Sequence, residues 1–338
     1  MSPSLPTPRG PISCALLSAL STGPAGSLTK EPELRHADPL GGDLQLSLAI
    51  CYELHYRGFD GVDAEWEWDP ALLAVRGRME RRFLTRLRAD VDGGTDSTAS
   101  LRTVSEEPPD GSGASRYLLE HGTWEQMREY FVHRSIYQLK EADPHAWVIP
   151  RLQGRAKCAL VAVEFDEFGG GIPERMHSLL FEDLMRAADL DWRYLAYLDQ
   201  VPPLTLATVN LMSLFGLHRG LRGALVGLFA AAETTTPPSA RRLVQTLERL
   251  HAPPECIRFY AEHVEADAVH EQVLRLDVVG GLLDLEPDLA GDVVFGIRSS
   301  ELLEARVSER MIDSWSHGRT SLLPTGRPLV EDAAASGR

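Results

Sequence analysis

Cysteine is scarce in this chain: four in 338 residues, at Cys14, Cys51, Cys158 and Cys256. They lie far apart and form no C-x-x-C pair, which argues against a zinc knuckle and a disulfide framework and makes a reducing cytoplasm the default setting. Positive charge is also short. The 34 Lys and Arg against 49 Asp and Glu leave a formal net charge of -15. Nucleic acid and anionic membranes both reward basic surfaces, so neither is expected as a main partner. An uninterrupted apolar run of the roughly 20 residues needed to cross a bilayer is absent too. The most apolar stretch, LTLATVNLMSLFGLHRGLRGALVGLFAAAE, is broken by Asn210, His218, Arg219 and Arg222, and reads as a buried helical hairpin. The short apolar run in PISCALLSALSTGPAG, with its Pro/Gly-rich flanks, fits a disordered arm better than an export signal.

Alternating Val/Ile/Thr-rich strands and a fixed internal repeat are missing as well, which excludes a sheet protein and a solenoid. What remains is helix after helix. The fold class expected is all-α, a bundle of about seven helices with an N-terminal helical hairpin. Residues 1–40, rich in Pro, Gly, Ser and Thr, are expected to form an arm without fixed structure, apart from a helical turn at Ile12–Leu20. Residues 41–91 read as the hairpin, whose second helix has Asp69 as N-cap and Pro70 at its first position. Its apolar surface outside the main core suggests a homodimer. A linker over 92–116, the main domain over 117–318 and a frayed tail over 319–338 complete the expected organisation. Within the main domain, Gly220–Thr234 and Ser239–Leu250 read as separate helices.

The chemistry gathers near the C-terminal end. FYAEHVEADAVHEQ carries His263, Asp267 and His270 at i, i+4 and i+7. At about 100° per residue these fall within roughly 60° of one another on one helical stripe. Two imidazoles and a carboxylate suit iron, manganese or zinc rather than calcium. The bland alternative is a solvated acidic face, since Glu262, Glu265 and Glu271 are close by. Partners upstream decide between the two. Glu233 extends an almost wholly apolar helix, ALVGLFAAAE, where a carboxylate is costly unless paired or metal-bound. Glu167 and His177 flank GGGIP, whose glycines let two helices bend around one centre, and Glu141 lies in YQLKEADPHAW. Glu141, Glu167, Glu233 and Asp267 carry four negative charges, which two divalent cations would balance. His55, His121, His133 and His218, beside Arg or aromatic residues, are expected to be structural or exposed, and Tyr137 to be core.

The set Glu141, Glu167, His177, Glu233, His263, Asp267 and His270 resembles the ligand pattern of the haem-oxygenase-like diiron oxidases and oxygenases, a family of iron-containing redox enzymes. Within it, the spacing is similar to that of the N-oxygenases of streptozotocin and nitroimidazole biosynthesis. The resemblance covers roughly Glu120 to Trp315 and rests on H-x-x-x-D-x-x-H, on a Glu about thirty residues before it, and on a Glu and a His ten residues apart further upstream. It implies a haem-oxygenase-like bundle in which Glu167, His177, Glu233, His263, Asp267 and His270 hold two irons. Glu141 would be the additional carboxylate of N-oxygenating members, with a catalytic role. O2 is the implied co-substrate and a small nitrogen-containing molecule the implied substrate. Electrons would come from an external donor, because no flavin or nicotinamide motif is present. No cupin or iron–sulfur domain is visible in the sequence, so a second catalytic activity is not expected.

Alternatives stay open at this point. Glu174-Arg-Met-His177 and Asp267-Ala-Val-His270 mimic the paired motifs of ferritin-like bundles, which would make Glu174 the ligand in place of Glu167. A same-fold desaturase, C–C fragmentase or oxidative decarboxylase is the nearest rival function. A non-catalytic helical iron-binding or interaction protein is the rival of another class.

Overall fold

In the computed structural model, residues 2–22, 34–106 and 113–324 are described, the side chains of 265–269 excepted. Helices and turns account for all of the regular structure among them, and no strand occurs among the described residues. The order is α1 (Pro11–Leu20), α2 (Gly42–Glu53), α3 (Pro70–Asp90), α4 (Ser97–Ser105), α5 (Ala114–His121), α6 (Trp124–Gln138) and α7 (Asp143–Ala146). There follow α8 (Gly154–Glu167), α9 (His177–Ala187), α10 (Pro203–Leu217), α11 (Arg222–Arg249) and α12 (Pro254–Val273). A π-helical turn over Leu274–Val279, α13 (Gly280–Leu285) and α14 (Ala290–Ser316) close the bundle. No helix among the described residues is long and apolar enough to cross a membrane.

The long helix α11 is the axis of the bundle and packs against α12 on one side and α14 on another. Its contact with α14 is close because glycines face backbone. A Cβ on Gly227 would sit 2.0 Å from the Val293 carbonyl oxygen, and one on Gly296 would sit 1.9 Å from that of Ala224. The expected break between Thr234 and Ser239 does not occur: Pro237 and Pro238 both lie inside α11. Each lacks the N–H that would reach four residues back. In the preceding turn Thr234, Thr235 and Thr236 donate their hydroxyls to the carbonyls of Ala230, Ala231 and Ala232. Ala240, Leu243 and Leu247 bury the far half of the helix, so tertiary packing outweighs the local propensity to stop.

The N-terminal part also differs from a detached hairpin. Leu44, Leu46, Leu48, Ile50 and Tyr52 of α2 are all buried, and α2 packs against α10, α1 and α3. Apolar residues on every side make α2 a core helix rather than one side of a hairpin. The helix α3 begins as expected, with the Asp69 side chain accepting from Leu72 N at 2.8 Å. Helix α1 runs beside α2, tied by Asp43, which accepts from the backbone of Ile12 and Ser13. The stretch expected as a linker carries α4, capped by Asp96. Trp192–Leu198, which has helical composition, forms turns. Residues 319–324 are not frayed: Ser321 donates to Glu129, Leu323 N donates to the Gln200 carbonyl, and Leu322 is buried.

Candidate metal centre

Four elements bring the upstream carboxylates and His177 to α12. Helix α8 ends on Glu167 and α9 begins on His177. Between them Gly169, Gly170 and Gly171 all have positive φ, at 79°, 63° and 81°. Gly169 also meets backbone, since a Cβ there would lie 2.7 Å from Met176 N. Side chains would strain this reversal. It sets Glu167 Oε2 2.7 Å from His177 Nδ1. Glu233 reaches in from α11, and Glu141 from the turn after α6.

The side chains fall into two buried groups. Glu141, His177 and His263 form one, and Glu167, Glu233 and His270 the other, with the potential ligand atoms of each within 4.8 Å of one another. In the first, Glu141 Oε2 lies 3.7 Å from His263 Nε2 and 4.0 Å from His177 Nδ1. In the second, His270 Nδ1 lies 3.3 Å from Glu233 Oε2 and 3.4 Å from Glu167 Oε1. Glu167 therefore faces both, one oxygen toward His177 and the other toward His270. All six residues are at least nine-tenths buried. Asp267 lies on α12, but its side chain falls outside the described residues. Glu174 is exposed on a 3-10 turn and is not brought to either group, so Glu167 is the one of the two rival glutamates that faces the histidines.

Partners one step out fix the rings. His263 Nδ1 donates to the Phe259 carbonyl at 2.7 Å, which leaves Nε2 to present its lone pair toward Glu141. His270 Nε2 donates to exposed Asp166 at 3.3 Å, which leaves Nδ1 facing the carboxylates. Outer hydrogen bonds of this type set the tautomer and raise the basicity of a histidine ligand. With its amide nitrogen turned toward the carboxylate, Gln138 donates to both oxygens of Glu141, at 2.9 and 2.7 Å. Tyr137 is half-buried, with its hydroxyl 3.5 Å from His145 Nδ1, and buried His145 stacks on Phe229 at 4.0 Å.

Electrostatics mark the region as expensive for the chain alone. Burial raises Glu233 to about 7, although His270 opposes it. Burial acts on Glu167 in the same sense but is outweighed by His177 and His270, which hold it below the usual carboxylate range. Burial would lower His270, yet its bonds to Glu167 and Glu233 push it up to about 11. Glu164, one turn before Glu167 on α8, is raised to about 9 by burial and then by Glu167, Asp143, Glu233 and Glu141. Neither oxygen of Glu164 has a hydrogen-bond partner, and Glu167 Oε1, Glu233 Oε2 and His177 Nδ1 are buried facing other members of the two groups. Buried polar atoms in native proteins are nearly always satisfied. Such atoms on carboxylates and an imidazole, converging in two clusters, fit a pair of cations with mixed nitrogen and oxygen ligands.

Several supporting residues were not singled out by sequence reasoning. Glu164 and Asp166 adjoin Glu167, and Gln138 precedes Glu141 by three, so helical spacing was the available signal; the Phe259 carbonyl gave none. The four histidines expected to be structural or exposed stay outside. His55 meets Glu67 and Arg76, His133 meets Thr205 and Ser321, His218 meets Glu80, and exposed His121 sits beside Glu120.

The fold and this buried nitrogen–oxygen cluster define an all-helical protein with a candidate metal centre in its core. A family model described as an iron-containing redox enzyme matches residues 128–305, more than half of the chain, and the protein belongs to that family. Over 243 residues the chain is 24% identical to the nitrosourea synthase of Streptomyces achromogenes subsp. streptozoticus, a match covering 68% of this chain and 50% of that protein. The chain thus spans about half the length of that relative.

Proposed function

We propose that the protein is a non-haem diiron N-oxygenase, which uses O2 and electrons from an external donor to oxidise an amine or guanidine-like nitrogen to a hydroxylamine, nitroso or nitro product. The observation that carries this reading is the division of the buried side chains into two three-residue groups with Glu167 facing both. A single ion would not need two groups, and haem would not need three buried carboxylates. The similarity to a nitrosourea synthase supports nitrogen as the oxidised atom.

Glu141, His177 and His263 would hold one iron, and Glu167, Glu233 and His270 the other, with Asp267 as the seventh ligand. Bound iron would supply O2 activation and the electron transfer that carbon and nitrogen side chains cannot. The protein's part is positional. With metal bound, Phe259 and Asp166 would hold the two α12 imidazoles in the neutral tautomers that point their lone pairs inward, whereas the metal-free protein keeps the second proton on His270. Gln138 orients the Glu141 carboxylate by donating to both of its oxygens. Buried His145 and Phe229, stacked on each other, would help keep bulk water from the centre.

The test is anaerobic loading with iron(II), metal analysis, and O2 consumption with a panel of amines and guanidines. About two irons per chain, O2 uptake triggered by a nitrogen compound and an N-oxygenated product are expected. One iron, a haem spectrum, or O2 uptake triggered only by carbon oxidation of fatty or amino acids would overturn the reading.

A further inference from the structure

Glu141 is the one described member of the two groups that no helix carries, because α6 ends at Gln138 and α7 begins at Asp143. A ligand on a turn needs its backbone held from outside. Glu53, the last residue of α2, lies 2% exposed and 87 residues before Lys140. Its Oε2 accepts from Tyr194 OH at 2.8 Å and faces Lys140 Nζ at 3.4 Å, while Oε1 accepts from Arg57 N at 3.2 Å. The Arg57 guanidinium stacks 4.1 Å over the Tyr194 ring and donates to the Leu139 carbonyl at 3.1 Å. The Lys140 ammonium lies 4.3 Å over the ring of Tyr56, whose hydroxyl meets Ser213 on α10 at 3.0 Å. Both residues immediately before Glu141 are therefore gripped from the same side, Leu139 through its carbonyl and Lys140 through its ammonium.

Stability alone is a poor reason for this arrangement. A buried ion pair repays its desolvation only with good geometry, and well-packed apolar replacements are often neutral or stabilising. What the pair does, and apolar side chains would not, is fix the direction of the turn. We infer that Glu53, through Lys140 and Arg57, is a positioning residue for Glu141, and that this network sets the metal affinity of the Glu141, His177 and His263 group alone. The inference rests on the metal-binding reading above and extends it to residues that touch neither group.

The experiment uses the full chain loaded anaerobically with cobalt(II) or iron(II), with metal per chain and the cobalt absorption spectrum as readouts. Wild type, Glu141→Ala, Glu53→Ala, Glu53→Gln and the paired variant Glu53→Met/Lys140→Met are compared, with thermal unfolding as a check on folding. The Glu53→Ala protein should bind one metal normally and the second about 10- to 100-fold more weakly, the range for loss of an outer partner. Its spectrum should match that of Glu141→Ala. Glu53→Gln keeps the side-chain shape and one acceptor oxygen, which can face Tyr194 and Lys140, and should recover part of the second site's affinity. The paired variant removes the charges without leaving one buried alone; it should fold and still lose the second metal. Two metals bound at wild-type affinity in the paired variant would overturn the inference, as would equal weakening of both sites. Fewer than two metals in wild type would instead sink the underlying reading.

Discussion

The two ligand groups are built differently although α12 supplies a histidine to each. Glu233 and His270 project from the interiors of α11 and α12, and Glu167 closes α8. In the other group His263 is in a helix, but Glu141 lies on a turn and His177 is the first residue of α9, after the glycine reversal and a 3-10 turn over Pro173–Arg175. His263 and His270, two turns apart, lie about 10 Å apart along the axis at 1.5 Å per residue. They reach neighbouring groups by using different nitrogens, Nε2 of the first and Nδ1 of the second. The helix-borne group is thus held by packing that forms the core in any case. The other depends on turns, and on side chains far away in sequence that hold those turns.

Glu167 is the place to break the comparison, since it faces both groups. Replacing it by Ala should have the largest effect of any single change: both metals fall below detection in metal analysis after iron(II) loading, and O2 uptake goes with them. The loss should exceed the roughly 100-fold seen when only an outer partner is removed. One metal retained at full affinity would show that the groups are independent and that Glu167 belongs to one of them.

How much of this was legible in the sequence follows the same division. His263, His270 and Glu233 stand on helices whose periodicity is plain, and a carboxylate at the end of an apolar run signals itself. The triple glycine announced a reversal between Glu167 and His177. Glu141 had no such mark: taken alone it reads as a surface residue at a helix end, and only its resemblance to a family pattern singled it out. The long contact from Glu53 to Lys140 was invisible, because nothing local in either segment requires the other. The break expected between Thr234 and Ser239 failed for the opposite reason. The local preference of Pro237 and Pro238 is strong, and the burial that overrides it comes from α12 and other helices that single-sequence periodicity does not place.

Glu164 sharpens the comparison from the side of charge. Its folded pKa of about 9 lies above the 4.5 of a free glutamate, so the folded protein keeps a proton that the unfolded chain releases. The stability linked to that proton is fully present below pH 4.5 and is lost as pH rises toward 9. In Glu164→Gln nothing titrates there. The metal-free variant should be more stable than wild type by on the order of 3 kcal/mol at pH 7, from 1.36 kcal/mol per unit. The gap should close near pH 4.5. Urea unfolding of both metal-free proteins at pH 5 and pH 7 measures it, and parallel pH dependences would refute a protonated Glu164. With both metals bound the facing carboxylates are neutralised, and the gap should narrow.

Asp166 gives the smallest effect and the most selective one. Its carboxylate accepts from His270 Nε2 at the protein surface and touches no member of the Glu141 group. Asp166→Asn leaves an acceptor oxygen but removes the negative charge, so the His270 lone pair becomes a weaker donor while the ring stays in place. The helix-borne group should lose about 10-fold in metal affinity, the low end for an outer partner. The Glu141 group should not change. Because exposed charges are screened by salt, the difference between wild type and variant should shrink between low and high ionic strength. Loss of the turn-borne metal instead would mean that the two ions bind as one cooperative unit, with the backbone of α12 as the link between His263 and His270. Titration of a weakly binding metal such as cobalt(II) at two salt concentrations separates these outcomes, because each site then fills within a measurable range.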